Sequence, residues 1–157
     1  MDQVSAEYKA HDLKRGVDYI GVCCVFYCHD GNGNLLMAKR SAKCRDEQGK
    51  WDVGGGSMEF GETFEDTVRR EIREEYGVEP ERLQQVPEAT ASVVRDNNGT
   101  KTHWIAFRFV AKVPREDVKI GEPESMDEIG WFPFDQLPDN LHPALLPGFL
   151  MVREHMV

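Results

Sequence analysis

Hydrophobic and polar positions change period several times along the chain, and each change marks a predicted element. Val17 to Cys28 (VDYIGVCCVFYC) is a dense run of β-branched, aromatic and cysteine residues, expected as a central strand. His29 to Asn34 collects residues that tolerate positive φ, and Leu35 to Arg40 (LLMAKR) is apolar again, so the two runs are expected to form a hairpin. Ser41 to Lys50 is charged and loop-like. Trp51-Asp52-Val53 reads as a short strand running into Gly54-Gly55-Gly56, where the backbone must turn sharply or approach a ligand. From Phe64 to Tyr76 the period becomes helical, with Phe64, Val68, Ile72 and Tyr76 on one arc. Thr63 with Asp66 makes a variant capping box before it, and Gly77 is placed as its left-handed stop.

Beyond the helix, Leu83 to Arg95 and Thr102 to Val113 are two β-type segments around Asp96-Asn97-Asn98-Gly99-Thr100, an Asn-Gly hairpin signal. Pro114 to Asp127 is an acidic loop and Glu128 to Phe132 a strand. Pro133 to Leu137 is a turn or short helix, and Pro143 to Met156 a closing helix with Pro147 near its start. The absence of repeats and linkers predicts a single domain over residues 1–157, with 1–14 as a loose N-terminal arm or, alternatively, an edge strand over the first dozen residues.

Composition narrows the functional classes. No apolar run approaches the roughly 18 residues of a membrane span, and the N-terminal stretch lacks the apolar centre of a signal peptide, so a cytoplasmic protein without a membrane partner is expected. A formal net charge of −9 excludes a broad surface for a nucleic-acid polymer, so an anionic substrate would need a mediating cation. Cys23, Cys24, Cys28 and Cys44 form no CxxC pair and read as reduced, mostly buried thiols.

The helix supplies that need. Glu71, Glu74 and Glu75 stand at i, i+3 and i+4, on one face bordering the apolar arc. Like charges at that spacing destabilise a helix by roughly 0.2–0.5 kcal/mol per pair. Beside a glycine turn they imply a hard-cation site, for Mg²⁺ or Mn²⁺ with oxygen ligands. Arg70 lies beside Glu74 and Asp66 and is placed to orient acids, whereas Arg69 and Arg73 point to solvent.

The stretch Gly56 to Val78 also resembles the Nudix box, Gx5Ex7REUxEExGU with U aliphatic: Gly56, Glu62, then Arg70-Glu71-Ile72-Arg73-Glu74-Glu75-Tyr76-Gly77-Val78 meet every defined position. The resemblance implies an α/β (α+β) fold, a mixed sheet between helices with a loop-helix-loop catalytic motif. It implies a Mg²⁺-dependent (or Mn²⁺-dependent) hydrolase that cleaves a pyrophosphate bond in a nucleoside di- or triphosphate, or a nucleoside diphosphate derivative, by attack of water at phosphorus. Glu71, Glu74, Glu75 and the Gly55 carbonyl would be metal ligands, and Glu74, Glu71 and Arg70 the catalytic set. Glu62, Gly56 and Gly77 would support the motif. Family members commonly read W-x-L-P-G-G before the box, and here Gly54 stands in place of the proline.

Outside the box, Glu122, Glu124 and Glu128 are candidates for one more acid at the metal, Glu124 foremost from its spacing to Trp131, and Glu128 is also a candidate substrate contact. Arg40 with Lys39 is a candidate phosphate contact, and Trp104 or His103 a candidate base contact. The run Glu122-Pro123-Glu124 before Glu128-Ile129-Gly130-Trp131 is similar to members acting on nucleoside triphosphates. The alternatives are an ADP-ribose or nucleotide-sugar pyrophosphatase, a catalytically silent nucleotide-binding or regulatory domain on the same scaffold, and, more distantly, a prenyl diphosphate isomerase. A homodimer is a further expectation.

Overall fold

The computed structural model describes residues 12–157, so the arm expected over 1–14 lies outside the described residues up to residue 11. Among the described residues eight strands and two α-helices are formed: β1 (Gly21–His29), β2 (Asn34–Arg40), β3 (Trp51–Asp52), β4 (Gly54–Ser57), α1 (Phe64–Tyr76), β5 (Arg82–Gln85), β6 (Ala91–Asn97), β7 (Thr100–Lys112), β8 (Met126–Pro133) and α2 (Leu145–Val152). The sheet is mixed. β1 runs parallel to β7 from Gly21↔Trp104 to His29↔Lys112, and β7 pairs antiparallel with β5 and β6 on its other side.

β1 does not stay with its hairpin partner. It meets β2 at His29↔Leu35, after a turn in which the Asp30 carboxylate accepts from the N–H groups of Asn32 (2.8 Å) and Asn34 (3.2 Å). Its earlier half pairs instead with β4, Cys23↔Ser57 through Phe26↔Gly54, while β2 pairs with β3 and β8. The sheet therefore splits between β4 and β2, and a cleft opens at the split.

Period-2 alternation sorts β1 onto two cores. Cys24, Phe26 and Cys28 face α1 together with Phe109 and Ala111, and the helix buries Val68, Ile72 and Tyr76 against them. Tyr27, Leu35, Met37 and Val110 face α2, which contributes Leu145, Phe149 and Val152. Each buried Val, Leu, Ile, Phe or Met among them stabilises the fold by about 1.5–3 kcal/mol.

Helix α1 has the predicted bounds and caps. Thr63 Oγ1 accepts from the Asp66 N–H at 3.1 Å, the Asp66 carboxylate accepts from the Thr63 N–H at 2.9 Å, and Gly77 closes the helix at φ 68°. The hairpin at 97–100 also forms, with Asn98 and Gly99 both at positive φ, as a type I′ turn requires.

Several expectations are corrected. The strand expected at Val17 starts at Gly21, because Val17 and Asp18 fold back in a turn onto Lys14. The segment Leu83–Arg95 is broken into β5 and β6 by a 3-10 turn over Pro87–Ala89, where proline cannot donate to a ladder. The last strand is longer than expected, and the closing helix is shorter, ending at Val152 with a 3-10 turn after it.

Candidate active site

Glycine strand β4 lies directly on α1, and contact at this distance explains its composition. A Cβ on Gly54 would fall 2.0 Å from the Phe26 ring and 2.6 Å from Glu75 Oε2, and one on Gly56 would fall 2.1 Å from the Glu71 carboxylate. A proline in place of Gly54 would meet the same atoms. The missing side chains let the backbone descend onto the acids, and the Gly55 N–H donates to Glu75 Oε1 at 3.4 Å.

The three box glutamates differ in environment. Glu75 is buried, and no ion pair reaches it among the described residues. Burial, with the charges of Glu71 and Glu122 added, holds its carboxyl well above the usual carboxylate range against the one Gly55 N–H. Glu71 is raised by burial too, opposed by Arg70 and reinforced by Glu74 and Glu122. The Glu74 carboxylate is half-exposed, and its one ion-pair partner among the described residues is Arg70 at 3.4 Å.

Arg70 and Glu62 form the scaffold of the loop. Glu62 accepts from Arg70 Nε at 2.5 Å, from Thr67 Oγ1 at 2.7 Å and from the Glu59 N–H at 3.0 Å, and these bonds, Arg70 foremost, pull its carboxyl down to about 2. Arg70 also donates to Glu71 at 2.7 Å and to the Ser57 carbonyl oxygen at 3.2 Å. The partnership with Asp66 expected from helical spacing does not form, because Asp66 is committed to the cap. Arg69 and Arg73 pair with Glu65 and Glu79 at the surface, as their outward positions predict.

Of the loop acids, Glu122 is the one brought to the box. Gly121 N–H donates to the Glu75 carbonyl oxygen at 2.8 Å and Lys119 N–H to that of Tyr76 at 3.1 Å, so the loop satisfies carbonyls left open at the end of α1. Glu122 then lines the cleft, tethered by Ser125 Oγ at 3.2 Å. Glu124 is exposed and pairs with Lys43 at 2.5 Å. Glu128 is exposed on β8 opposite Lys39, away from the cleft lining.

The cleft encloses about 530 Å³. Arg40 lines it but is engaged by Asp46 at 2.8 Å and faces Asp52 at 3.7 Å. Burial raises Asp52 to about 7, opposed by the Val53 N–H and Arg40. Trp104 forms part of the wall, its indole packed on the bare backbone of Gly16 and Gly21, while His103 turns outward to Ser92 at 2.8 Å. Sequence reasoning missed Arg95, Arg108 and His142, which also line the cleft. Arg108 alone carried a signal, as a charge inside an apolar strand. All four cysteines are free thiols, two buried and two half-buried.

The donor set fits a hard divalent cation, since every acid in it offers oxygen and two are crowded out of water. Among the described residues no three such side chains already stand together in ligating geometry. Arg70 donates to Oε1 of Glu71, and Oε2 is the oxygen of that carboxylate that could meet a cation without a change of partner.

A glycine strand laid on a helix of glutamates, beside a split mixed sheet, defines a class of fold, and the comparisons name it. The NUDIX domain model matches residues 19–150, and the chain belongs to that family. It is 31% identical over 133 residues to the 8-oxo-dGDP phosphatase NUDT18 of Mus musculus, covering 82% of this chain and 36% of that protein. It is 27% identical over 113 residues to the RNA pyrophosphohydrolase of Acinetobacter baylyi, covering 64% of this chain and 65% of that one. The chain thus spans about a third of the length of the NUDT18 relative and about two thirds of the second. Among solved structures, the MutT NUDIX hydrolase from Burkholderia pseudomallei superposes with a TM-score of 0.73 at 30% identity, covering 85% of this chain and 98% of that one. No helix among the described residues is long and apolar enough to cross a membrane.

Proposed function

We propose that the chain is a Mg²⁺-dependent pyrophosphohydrolase acting on a nucleoside di- or triphosphate, with water attacking phosphorus. The observation that carries this reading is Glu75, a carboxylate buried beside Glu71 and Glu122 with no basic partner among the described residues, under a glycine strand that leaves the backbone open to a ligand. Glu71, Glu74, Glu75 and the Gly55 carbonyl would hold the ion, with Glu122 added from the loop. A divalent cation bound there would neutralise phosphate charge and make water more acidic. Glu74 is the least encumbered of the three and the best placed to accept a proton from the attacking water. Arg70 keeps Glu71 and Glu74 aligned when the ion is absent and is itself anchored by Glu62. The similarity to an 8-oxo-dGDP phosphatase and to an RNA pyrophosphohydrolase supports a phosphoanhydride as the scissile bond.

The test is release of phosphate or pyrophosphate from a nucleotide panel with Mg²⁺, run beside Glu74→Gln. The substitution is expected to lower kcat by about 10²-fold or more, with an unchanged thermal midpoint. A variant as active as the parent, or a parent that binds nucleotides and releases nothing, would overturn the proposal.

A further inference from the structure

The cleft face of β7 carries Thr102, Trp104, Ala106 and Arg108 in alternation, and Arg108 is its one charged side chain. Arg108 is only 8% exposed. Its Nη1 donates to the Ala89 carbonyl oxygen at 2.5 Å, its Nε has no acceptor, and no carboxylate pairs with it among the described residues. The Tyr27 hydroxyl beside it supplies no counter-charge, because burial, opposed by Arg108, holds its ionisation up at about 12. Gly148 of α2 closes over the pair: a Cβ there would lie 2.1 Å from Tyr27 Oη and 2.8 Å from Arg108 Nε. A guanidinium taken out of water with one backbone carbonyl and the neutral Tyr27 hydroxyl beside it, and with its Nε still unpaired, is short of acceptors, a costly state that a ligand oxygen would relieve.

The sheet register locates this cation relative to the acids. Gly55 pairs with Val25, and Val25 with Arg108, so the three lie in one transverse row. Two strand spacings separate Arg108 from Gly55, roughly 10 Å between backbones. That is the scale of a nucleotide laid across the sheet from phosphate to base. Val25 stands between them, and Cys23 and Ala106 beside it in a neighbouring row, an apolar stretch of cleft wall suited to the flat face of a ring rather than to a second phosphate.

Resting on the reading under Proposed function, we propose that Arg108 is a specificity-determining residue, donating to the exocyclic keto oxygen of a 6-oxopurine nucleotide and disfavouring 6-aminopurines. The physical basis is that arginine only donates. A keto oxygen satisfies it, whereas an amino group turns a second set of donors toward it and leaves both unpaired.

Inosine and adenosine triphosphates probe this position. The parent is expected to prefer inosine by about tenfold or more in kcat/KM. Arg108→Met should bring the ratio close to one, chiefly through KM, and Arg108→Gln, whose amide both donates and accepts, should relax it with the fold retained. Thermal midpoints of both variants separate loss of folding from loss of selectivity. A parent with no preference overturns the proposal, as does an equal loss on both substrates in a folded variant, which would mark Arg108 as a phosphate contact or a packing residue. Calorimetric binding of inosine and adenosine monophosphates without metal separates the two readings. A preference for inosine that Arg108→Gln removes upholds Arg108's role even where neither triphosphate is hydrolysed and the hydrolase reading fails.

Discussion

His142 shows how one residue gains its character from surroundings distant in the chain. It is 6% exposed, its Nδ1 accepts from the Ala144 N–H at 3.1 Å, and its Nε2 lies 3.1 Å from an Arg95 nitrogen. Burial, with the charges of Arg95 and Arg40 added, lowers its pKa from 6.5 to about 4. Above pH 6.5 the ring is neutral folded or unfolded, and the stability is fully present. As pH falls from 6.5 toward 4 the unfolded chain takes up a proton that the folded one refuses, so stability drops, by up to about 3 kcal/mol. Urea unfolding at pH 7 and pH 4.5 should show this loss in the parent and a smaller one in His142→Gln. Equal losses would mean that His142 is not the group responsible. Nothing around His142 in the sequence foretells this, since Arg40 and Arg95 come from two separate strands. The box glutamates are the opposite case, their shared helix face being set by spacing alone.

Among the elements, α1 is the one whose bounds, both caps and buried arc follow from local residues. Its end is where tertiary contact takes over. The loop over Lys119 to Gly121 donates to the last carbonyls of α1, and a Cβ on Gly121 would stand 2.0 Å from the Glu74 carbonyl oxygen. Backbone cannot yield there as a flexible side chain would. Gly121→Ala is therefore expected to unseat the loop, withdraw Glu122 from the acids and lower kcat by about tenfold or more, with a smaller effect on the thermal midpoint. Unchanged turnover in this variant would show that Glu122 has no part in the reaction. The choice of Glu124 from its spacing to Trp131 faltered at this contact. Spacing gives a distance along the chain, and only the docked loop shows which acid faces the helix.

For the whole molecule, the proposed metal site would set function against stability. Glu75 is buried with no basic partner among the described residues, so without metal the fold must hold either a buried charge or a proton on that carboxyl, at a cost to stability either way. Glu75→Gln keeps an acceptor for the Gly55 N–H and is expected to raise metal-free stability by about 1–2 kcal/mol while abolishing turnover. Millimolar Mg²⁺ should raise the thermal midpoint of the parent, as any ligand of the folded state does, and leave that of Glu75→Gln unmoved. Scanning calorimetry with and without chelator reads both effects. A parent indifferent to Mg²⁺ would remove the metal from the proposal.

What the sequence determined by itself is local: the period of α1, its caps, the Asn-Gly turn and the motif from Gly56 to Val78 that identifies the family. Such features are set by residues within a turn or two of one another, where propensity and spacing suffice. The tertiary structure alone decided that β1 runs parallel to β7 and leaves β2 for β4, opening the cleft. It alone brought Glu122, Arg108 and His142 to that cleft. Alternation along a strand divides side chains between two faces, but which face is wall and which is core depends on the register with strands far away in the chain.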